Sequence, residues 1–377
     1  MAEQQTICFV VNEASFLISH RLSLVEEAFR RGFQVAVVCG ENSGEELLRE
    51  LDLNFLTIPL TRSGFNPIEE WQTVRALKRA YEQIKPDIVH HITIKPVIYG
   101  TQVARWTGVP GVVNAIPGMG FVFTRRGAWA RFRRAFVNAM YRITLSHSNM
   151  QVIFQNGEDM RGFIDHAIVD REQSHLIRGS GVDIADYPDA PTPALPVRFV
   201  LVARMLRHKG VVEYVRAATA LKFQHPDWQF LLVGDVDPGN PSSLSPEELK
   251  KWNAEGNISW LGHRKDVPDL LRQCHVVCLP SYREGLPKTL LEAAAAGKAI
   301  VASDAAGCRE VVRDEVTGLI VPARDWEKLR DAMDRVGLDA KLRDRLGRAA
   351  RDKAEAVFSV EDVVQSTFLV YQKLDRQ

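Results

Sequence analysis

Short apolar, β-branched runs recur along these 377 residues, each followed by a longer stretch with helical spacing. In the first half the runs are Ile7–Val11, Gln34–Cys39, Phe55–Pro59, Ile88–His91, Gly111–Ala115 and Gln151–Phe154. In the second they are Arg198–Ala203, Gln229–Val233, Ile258–Leu261, Val276–Leu279, Ala299–Ala302 and Leu319–Val321. Strands that are apolar throughout must be covered on both faces, and intervening helices are the connection that parallel neighbours require. The pattern predicts α/β architecture with two Rossmann-like, doubly wound domains facing across a cleft. At roughly 150 residues per domain, the length agrees with two.

The division is marked by Tyr187–Pro196, which holds four prolines in ten residues and makes a stiff, donor-poor linker. We therefore expect domains over residues 1–187 and 188–359. A C-terminal helix within 360–377 should bury Val363, Val364, Phe368 and Tyr371 on either of them, a return to the N-terminal domain being one of the two options. In open parallel sheets, ligands meet the loops at the carboxyl ends of the strands, and those loops are where chemistry is sought.

Hydrophobic residues at 46% and charged residues at 25% exclude a disordered, collagen-like or disulfide-based chain. No run of about 18 apolar residues is present, so no membrane-spanning helix is expected. The polar start, Met1–Gln5, leads directly into a strand and does not resemble a signal peptide. Cys8, Cys39, Cys274, Cys278 and Cys308 are expected as buried free thiols in a reducing, cytosolic setting.

Lys and Arg number 48 and Asp and Glu 47, so overall charge indicates no nucleic-acid partner. The distribution is uneven. From residue 88 to residue 157 no carboxylate occurs in 70 residues, while Lys95, Arg105, Arg125, Arg126, Arg131, Arg133, Arg134 and Arg142 bring +8. As a helix, Trp129, Phe132, Phe136, Met140 and Ile143 share one stripe and Arg131, Arg134 and Arg142 the other side. Such a segment suits an anionic membrane surface, or a grip on an acceptor diphosphate. A core-packed helix with a solvated basic face is the plainer alternative.

Two segments of the second half concentrate chemistry. Ser281-Tyr-Arg-Glu-Gly-Leu-Pro-Lys-Thr-Leu-Leu-Glu292 follows a strand and opens a helix, with Pro287 expected in its first turn. Glu284 falls in the turn and Glu292 within the helix, so the two carboxylates can face one ligand. Val202-Ala-Arg-Met-Leu-Arg-His-Lys-Gly210 runs from strand end to helix start, with Arg204 and Lys209 flanking the loop. Permanent cations beside helix-start amides suit a diphosphate.

Together these segments resemble the retaining glycosyltransferases of the two-domain nucleotide-sugar fold (GT-B, family 4), over essentially the whole chain. The signature is a Glu, seven residues, then a second Glu, with an upstream Arg and a Lys-Gly helix start. Within that family, Arg204–Glu213, Gly234–Ser243 and Gly297–Asp304 look like bacterial N-acetylgalactosaminyltransferases of lipid-linked glycan assembly, which extend diacetylbacillosamine carried on undecaprenyl diphosphate.

The resemblance implies a UDP-sugar donor as co-substrate, a polyprenyl-diphosphate-linked sugar as acceptor, no metal and no cofactor. It implies that Glu284 and the Gly285, Leu286 and Pro287 backbone hold the donor sugar, Glu292 the ribose, and Arg204 with Lys209 the diphosphate. The Gly262, His263 and Arg264 loop would lie near the uracil. Glu284, Arg204 and Lys209 form the expected catalytic set. Retaining members are thought to react on the front face, the departing phosphate taking the acceptor proton. An enzyme of this kind is expected on the inner face of the cytoplasmic membrane as a peripheral protein.

The first half departs from the family pattern. Pro117 stands near the point where many members carry a His, so that role is not transferred. Glu13, Ser15, His20 and His90 are candidate acceptor contacts, with Arg125, Arg126, Arg131 and Arg134 for the acceptor or the membrane; each has a plainer reading as a loop, cap or core residue. Asp235 and Asp237 form an Asp-x-Asp that binds metal in a different transferase fold, but here cations already serve the diphosphate. Arg178–Asp183 lacks the G-x-G-x-x-G spacing of a dinucleotide site and looks like an inter-domain loop. Other readings are an O-antigen or capsule transferase with another UDP- or GDP-hexose, a sugar-nucleotide epimerase, a dehydrogenase, and a non-catalytic sensor. The missing glycine fingerprint disfavours the dehydrogenase, the basic segment the epimerase, and the complete cation and carboxylate sets the sensor.

Overall fold

The computed structural model describes residues 4–61, 66–118, 139–189, 191 and 193–374. The chain divides into two compact units, Met1–Ser180 with Asp362–Gln377, and Gly181–Glu361. The crossing lies within Arg178–Asp183, ahead of the proline-rich segment, which belongs to the second unit. The boundary expected at residue 187 therefore moves toward the N-terminus. Val182 explains the shift: it is buried, bridges Ser359 and exchanges backbone hydrogen bonds with Phe358 and Val360.

The first unit is a parallel sheet of β1 (Thr6–Val11), β2 (Gln34–Gly40), β3 (Asn54–Ile58), β4 (Ile88–Ile92), β5 (Gly111–Ile116), β6 (Met150–Phe154) and β7 (Ser174–Leu176). Their order is β3-β2-β1-β4-β5-β6-β7, so the winding reverses between β1 and β4. All five β4 residues and all six of β5 are buried, as two-sided coverage by helices demands. The helix Val360–Tyr371 returns the chain to this unit, where Phe368 lies 6.0 Å from Phe33 and the Tyr371 hydroxyl 2.6 Å from His90 Nδ1.

The second unit is a parallel sheet of β8 (Arg198–Val202), β9 (Gln229–Val233), β10 (Ser259–Trp260), β11 (Val276–Leu279), β12 (Ala299–Ser303) and β13 (Leu319–Val321). The order β10-β9-β8-β11-β12-β13 reverses between β8 and β11. One face packs Phe199, Leu201, Tyr214 and Met333 into a core, the other Val200, Val277, Leu291 and Ile300. The twelve runs expected as strands all appear, with ends shifted by a residue or two. The thirteenth, β7, is a half-buried edge of three residues whose Ser-His-Leu carries no apolar run. All five cysteines are free and buried. No helix among the described residues is long and apolar enough to cross a membrane.

Candidate active site

Every residue expected to handle the donor follows the carboxyl end of a second-unit strand. After β8 the chain is clamped by the buried Met205 and Leu206: the Met205 amide donates to Asp235, its carbonyl accepts from Leu244, and the Arg207 amide donates to Ser242, which fixes the loop. With those two side chains turned inward, Arg204 remains 45% exposed and Lys209 19%. Gly210 then starts the helix Val211–Gln224 at φ 75, and a Cβ there would lie 2.2 Å from the Pro280 carbonyl oxygen. Only glycine lets this loop lie against the one that follows β11.

That second loop carries Glu284. Its Oε1 accepts hydrogen bonds from Lys209 Nζ at 2.6 Å and from Ser281 Oγ at 2.6 Å, with the carboxylate only 9% exposed. Ser281 is fully buried, and the Ser303 hydroxyl donates to its carbonyl. Gly307 approaches so closely that a Cβ would stand 2.3 Å from the Gly285 oxygen, and its amide donates to the Glu284 carbonyl. Pro287 is the N-cap of the helix Lys288–Ala295, one place before the expected first turn, because its extended ψ of 118 precedes the helical residues. Leu286 packs partly buried against the core.

Glu292 lies on that helix, hydrogen-bonded to Tyr187 and 3.7 Å from Lys288 Nζ. Burial raises its pKa above the ordinary carboxylate value, and Lys288 offsets part of the rise. His263 and Arg264 follow β10 as exposed side chains. Arg264 Nε donates to Asp266 at 2.7 Å, so its charge is tied into its own turn, while the Gly262 carbonyl accepts from Gly234 at 2.7 Å.

Arg204 and Lys209, expected as cations for a diphosphate, are both already paired. Arg204 Nη1 lies 2.5 Å from Asp237 Oδ2, and Lys209 holds Glu284. Asp237 entered the sequence reading only through Asp-x-Asp spacing, and its pairing with Arg204 had no signal, since β9 separates them. Ser281 was detectable as a hydroxyl three residues before Glu284. Tyr187 was not.

In the first unit the candidates scatter. Glu13 is the N-cap of the helix Ala14–Arg30 and makes no side-chain cap bond. Ser15 is exposed, and His20 stacks on Phe16 at 4.2 Å with its Nδ1 2.7 Å from Ser19 Oγ. His90 is 1% exposed and bonded to Tyr371, and burial with the nearby Arg21 lowers its pKa, which fits its plainer reading as a core residue. His91 is likewise internal, between Tyr81 and Asn114. A residue that sequence did not single out is Thr93, directly after β4, which adopts φ 80 and donates to Asn12 Oδ1 at 2.6 Å. A β-branched residue in that conformation is strained, and it stands at this sheet's reversal point.

Arg125, Arg126, Arg131 and Arg134 lie outside the described residues, as do Trp129, Phe132 and Phe136. Of the basic block, Lys95 is buried against Glu70 at 2.6 Å. Residues 139–144 are helical, but Tyr141 and Leu145 are the buried members and Ile143 is 67% exposed. Of the apolar stripe expected here, Met140 packs partly buried against the core while Ile143 faces outward. Arg142 bonds the carbonyls of His166 and Ala167, and Arg105 bonds Ser146.

Comparison with known proteins decides the family. Residues 6–156 match the family model described as glycosyl transferase 4-like, and residues 191–353 that of glycosyl transferases group 1. The chain belongs to the two-domain GT-B glycosyltransferases. A Campylobacter jejuni relative, N,N'-diacetylbacillosaminyl-diphospho-undecaprenol alpha-1,3-N-acetylgalactosaminyltransferase, is 28% identical over 92% of this chain and 93% of its own. An Escherichia coli relative, UDP-Gal:alpha-D-GlcNAc-diphosphoundecaprenol alpha-1,3-galactosyltransferase, is 25% identical over 87% of this chain and 86% of its own. The Anabaena protein HepE, solved with UDP and glucose, shares the fold at a TM-score of 0.76 and 18% identity, covering 98% of this chain and all of that one. In this glycosyltransferase the Lys209–Glu284 pair joins the loops after β8 and β11, the adjacent strands between which the winding reverses. That is the position at which open parallel sheets place their ligands.

Proposed function

We propose that this glycosyltransferase moves N-acetylgalactosamine from its UDP conjugate to a saccharide on undecaprenyl diphosphate, with retention at the anomeric carbon and without a metal. The observation that carries the reading is near full-length likeness to two transferases whose names both specify undecaprenyl-diphosphate-linked acceptors. The second-unit edge supports the donor half: Arg204 and Lys209 for the diphosphate, Glu284 with the Gly285–Pro287 backbone for the sugar, Glu292 for the ribose.

In the reaction the bond from the anomeric carbon to the UDP oxygen breaks, and a bond to the acceptor hydroxyl oxygen forms on the same face. The hydroxyl proton passes to the departing diphosphate oxygen. Negative charge grows on that diphosphate as the bond breaks, and cations fixed beforehand stabilise developed charge at little reorganisation cost. In this reading Arg204 and Lys209 supply those cations, no metal is invoked, and a chelator should leave the rate unchanged.

For the acceptor we propose peripheral attachment to the inner face of the cytoplasmic membrane through the basic block. Its described part supports this: Arg105 of the helix Thr101–Thr107 bonds Ser146, just past the helical residues 139–144, and the apolar side chains Trp106 and Ile143 are 58% and 67% exposed. The test is incubation with undecaprenyl-diphosphate-linked diacetylbacillosamine and a panel of UDP- and GDP-sugars, followed by product mass and anomeric coupling. One added N-acetylhexosamine in α linkage, from UDP-GalNAc alone, is the expected result. Transfer of another hexose would support the O-antigen or capsule reading.

A further inference from the structure

The cations at the donor edge are neutralised in two different ways. Lys209 holds a carboxylate that is 9% exposed, is also bonded by Ser281, and belongs to the sugar-facing loop. Arg204 holds Asp237, with side-chain exposures of 45% and 16%, and Asp237 sits on Gly234–Ser243, a loop rich in glycine, proline and serine after β9. A buried, doubly bonded carboxylate is costly to separate from its cation, whereas a pair whose arginine is nearly half exposed is screened by water and weaker, shifting an equilibrium by about fivefold. When a diphosphate arrives, the contact that yields is therefore the one between Arg204 and Asp237.

We propose that Asp237 is an internal counter-anion that competes with the donor diphosphate for Arg204, lowering affinity for UDP and so setting how readily spent nucleotide leaves. This rests on the donor-site reading above. With UDP bound, Arg204 exchanges one carboxylate for phosphate oxygens, and Asp237 becomes a like charge near the diphosphate. As UDP departs, Asp237 takes the guanidinium back. The loop is anchored independently of that exchange: the Asp237 amide accepts no change, since it donates to Ser243 Oγ at 2.9 Å, and Asn240 N donates to the Asp237 carbonyl at 2.8 Å. Only the side chain has to move.

The experiment is calorimetric titration of UDP and of uridine into the wild type, Asp237→Asn and Asp227→Asn at low ionic strength. Asp227 is exposed and precedes β9 at the opposite edge, so its change controls for net charge alone. Asp237→Asn should tighten UDP roughly three- to tenfold, from one partly exposed ion pair lost and one like charge removed. It should leave uridine unchanged and deepen product inhibition by UDP in the same ratio, while Asp227→Asn matches the wild type. Unchanged or weaker UDP binding in Asp237→Asn, or equal tightening of uridine, overturns the proposal. A wild type that binds no UDP overturns the donor reading beneath it, a result distinguishable from the first.

Discussion

Lys209 Nζ and Glu284 Oε1 lie 2.6 Å apart, joining the loops that follow β8 and β11 where the winding of the second sheet reverses. The pair is mostly buried, so each charge needs the other. Lys209→Met leaves the Glu284 carboxylate with Ser281 as its one remaining bond in this pair of loops. The expected loss is about 2–3 kcal/mol in stability by denaturant melts. Transfer should fall by about 100-fold or more, the usual effect of removing a fixed group that stabilises transition-state charge.

Glu292 trades stability for binding. Its folded pKa is raised by burial, so its neutral form is favoured in the fold and stability is fully present below the ordinary value of 4.5. That contribution is lost as pH rises through the folded pKa, which leaves a buried charge at neutrality. Glu292→Gln should raise Tm at pH 7 relative to the wild type, with the gain vanishing at pH 4. The same variant should bind UDP about tenfold more weakly, because the ribose loses a charged acceptor. Differential scanning fluorimetry and calorimetric titration check the two halves.

The first unit should be the acid-sensitive one. His90 is held well below its usual range, and His91 is lowered to about 4 by burial. A base depressed in the fold contributes stability present above 6.5 and lost as pH falls, since the unfolded chain gains protons first. Stability should decline from about pH 6.5 toward pH 4, and His91→Gln should flatten that slope while lowering stability at pH 7. Urea melts across the range measure both.

Gly307→Ala tests the backbone around the sugar. The new Cβ would meet the Gly285 oxygen at 2.3 Å, so the Glu284–Leu286 segment must shift. Transfer should fall by at least tenfold, with UDP affinity within about twofold of the wild type, since Arg204 and Lys209 lie on the loop after β8 and Glu292 lies in the helix beyond the displaced residues.

Much of this architecture was legible because parallel strands covered on both faces leave continuous apolar runs, while the glycines and prolines between them mark turns. The candidate donor residues could be named because they lie close together in two segments, each running from a strand end into a helix start. What could not be read were contacts between distant segments: Arg204 with Asp237, Tyr187 with Glu292, and His90 with Tyr371. The burial of His90 could not be foreseen, since Tyr371, which bonds it, comes from the far end of the chain. The domain boundary was misplaced because proline density marks stiffness, whereas the crossing is set by Val182 pairing with residues 358–360.

The central claim is that the second-unit edge is the donor site and that Glu284 acts on the sugar, not on the nucleotide. The most direct measurement is kcat for transfer beside the Kd for UDP, in the wild type and Glu284→Ala. The account predicts that transfer falls by about 1000-fold while UDP binds as well as before or slightly better, Lys209 having lost its competing carboxylate. Transfer near the wild-type rate, or loss of UDP binding in parallel with transfer in a folded variant, would contradict it.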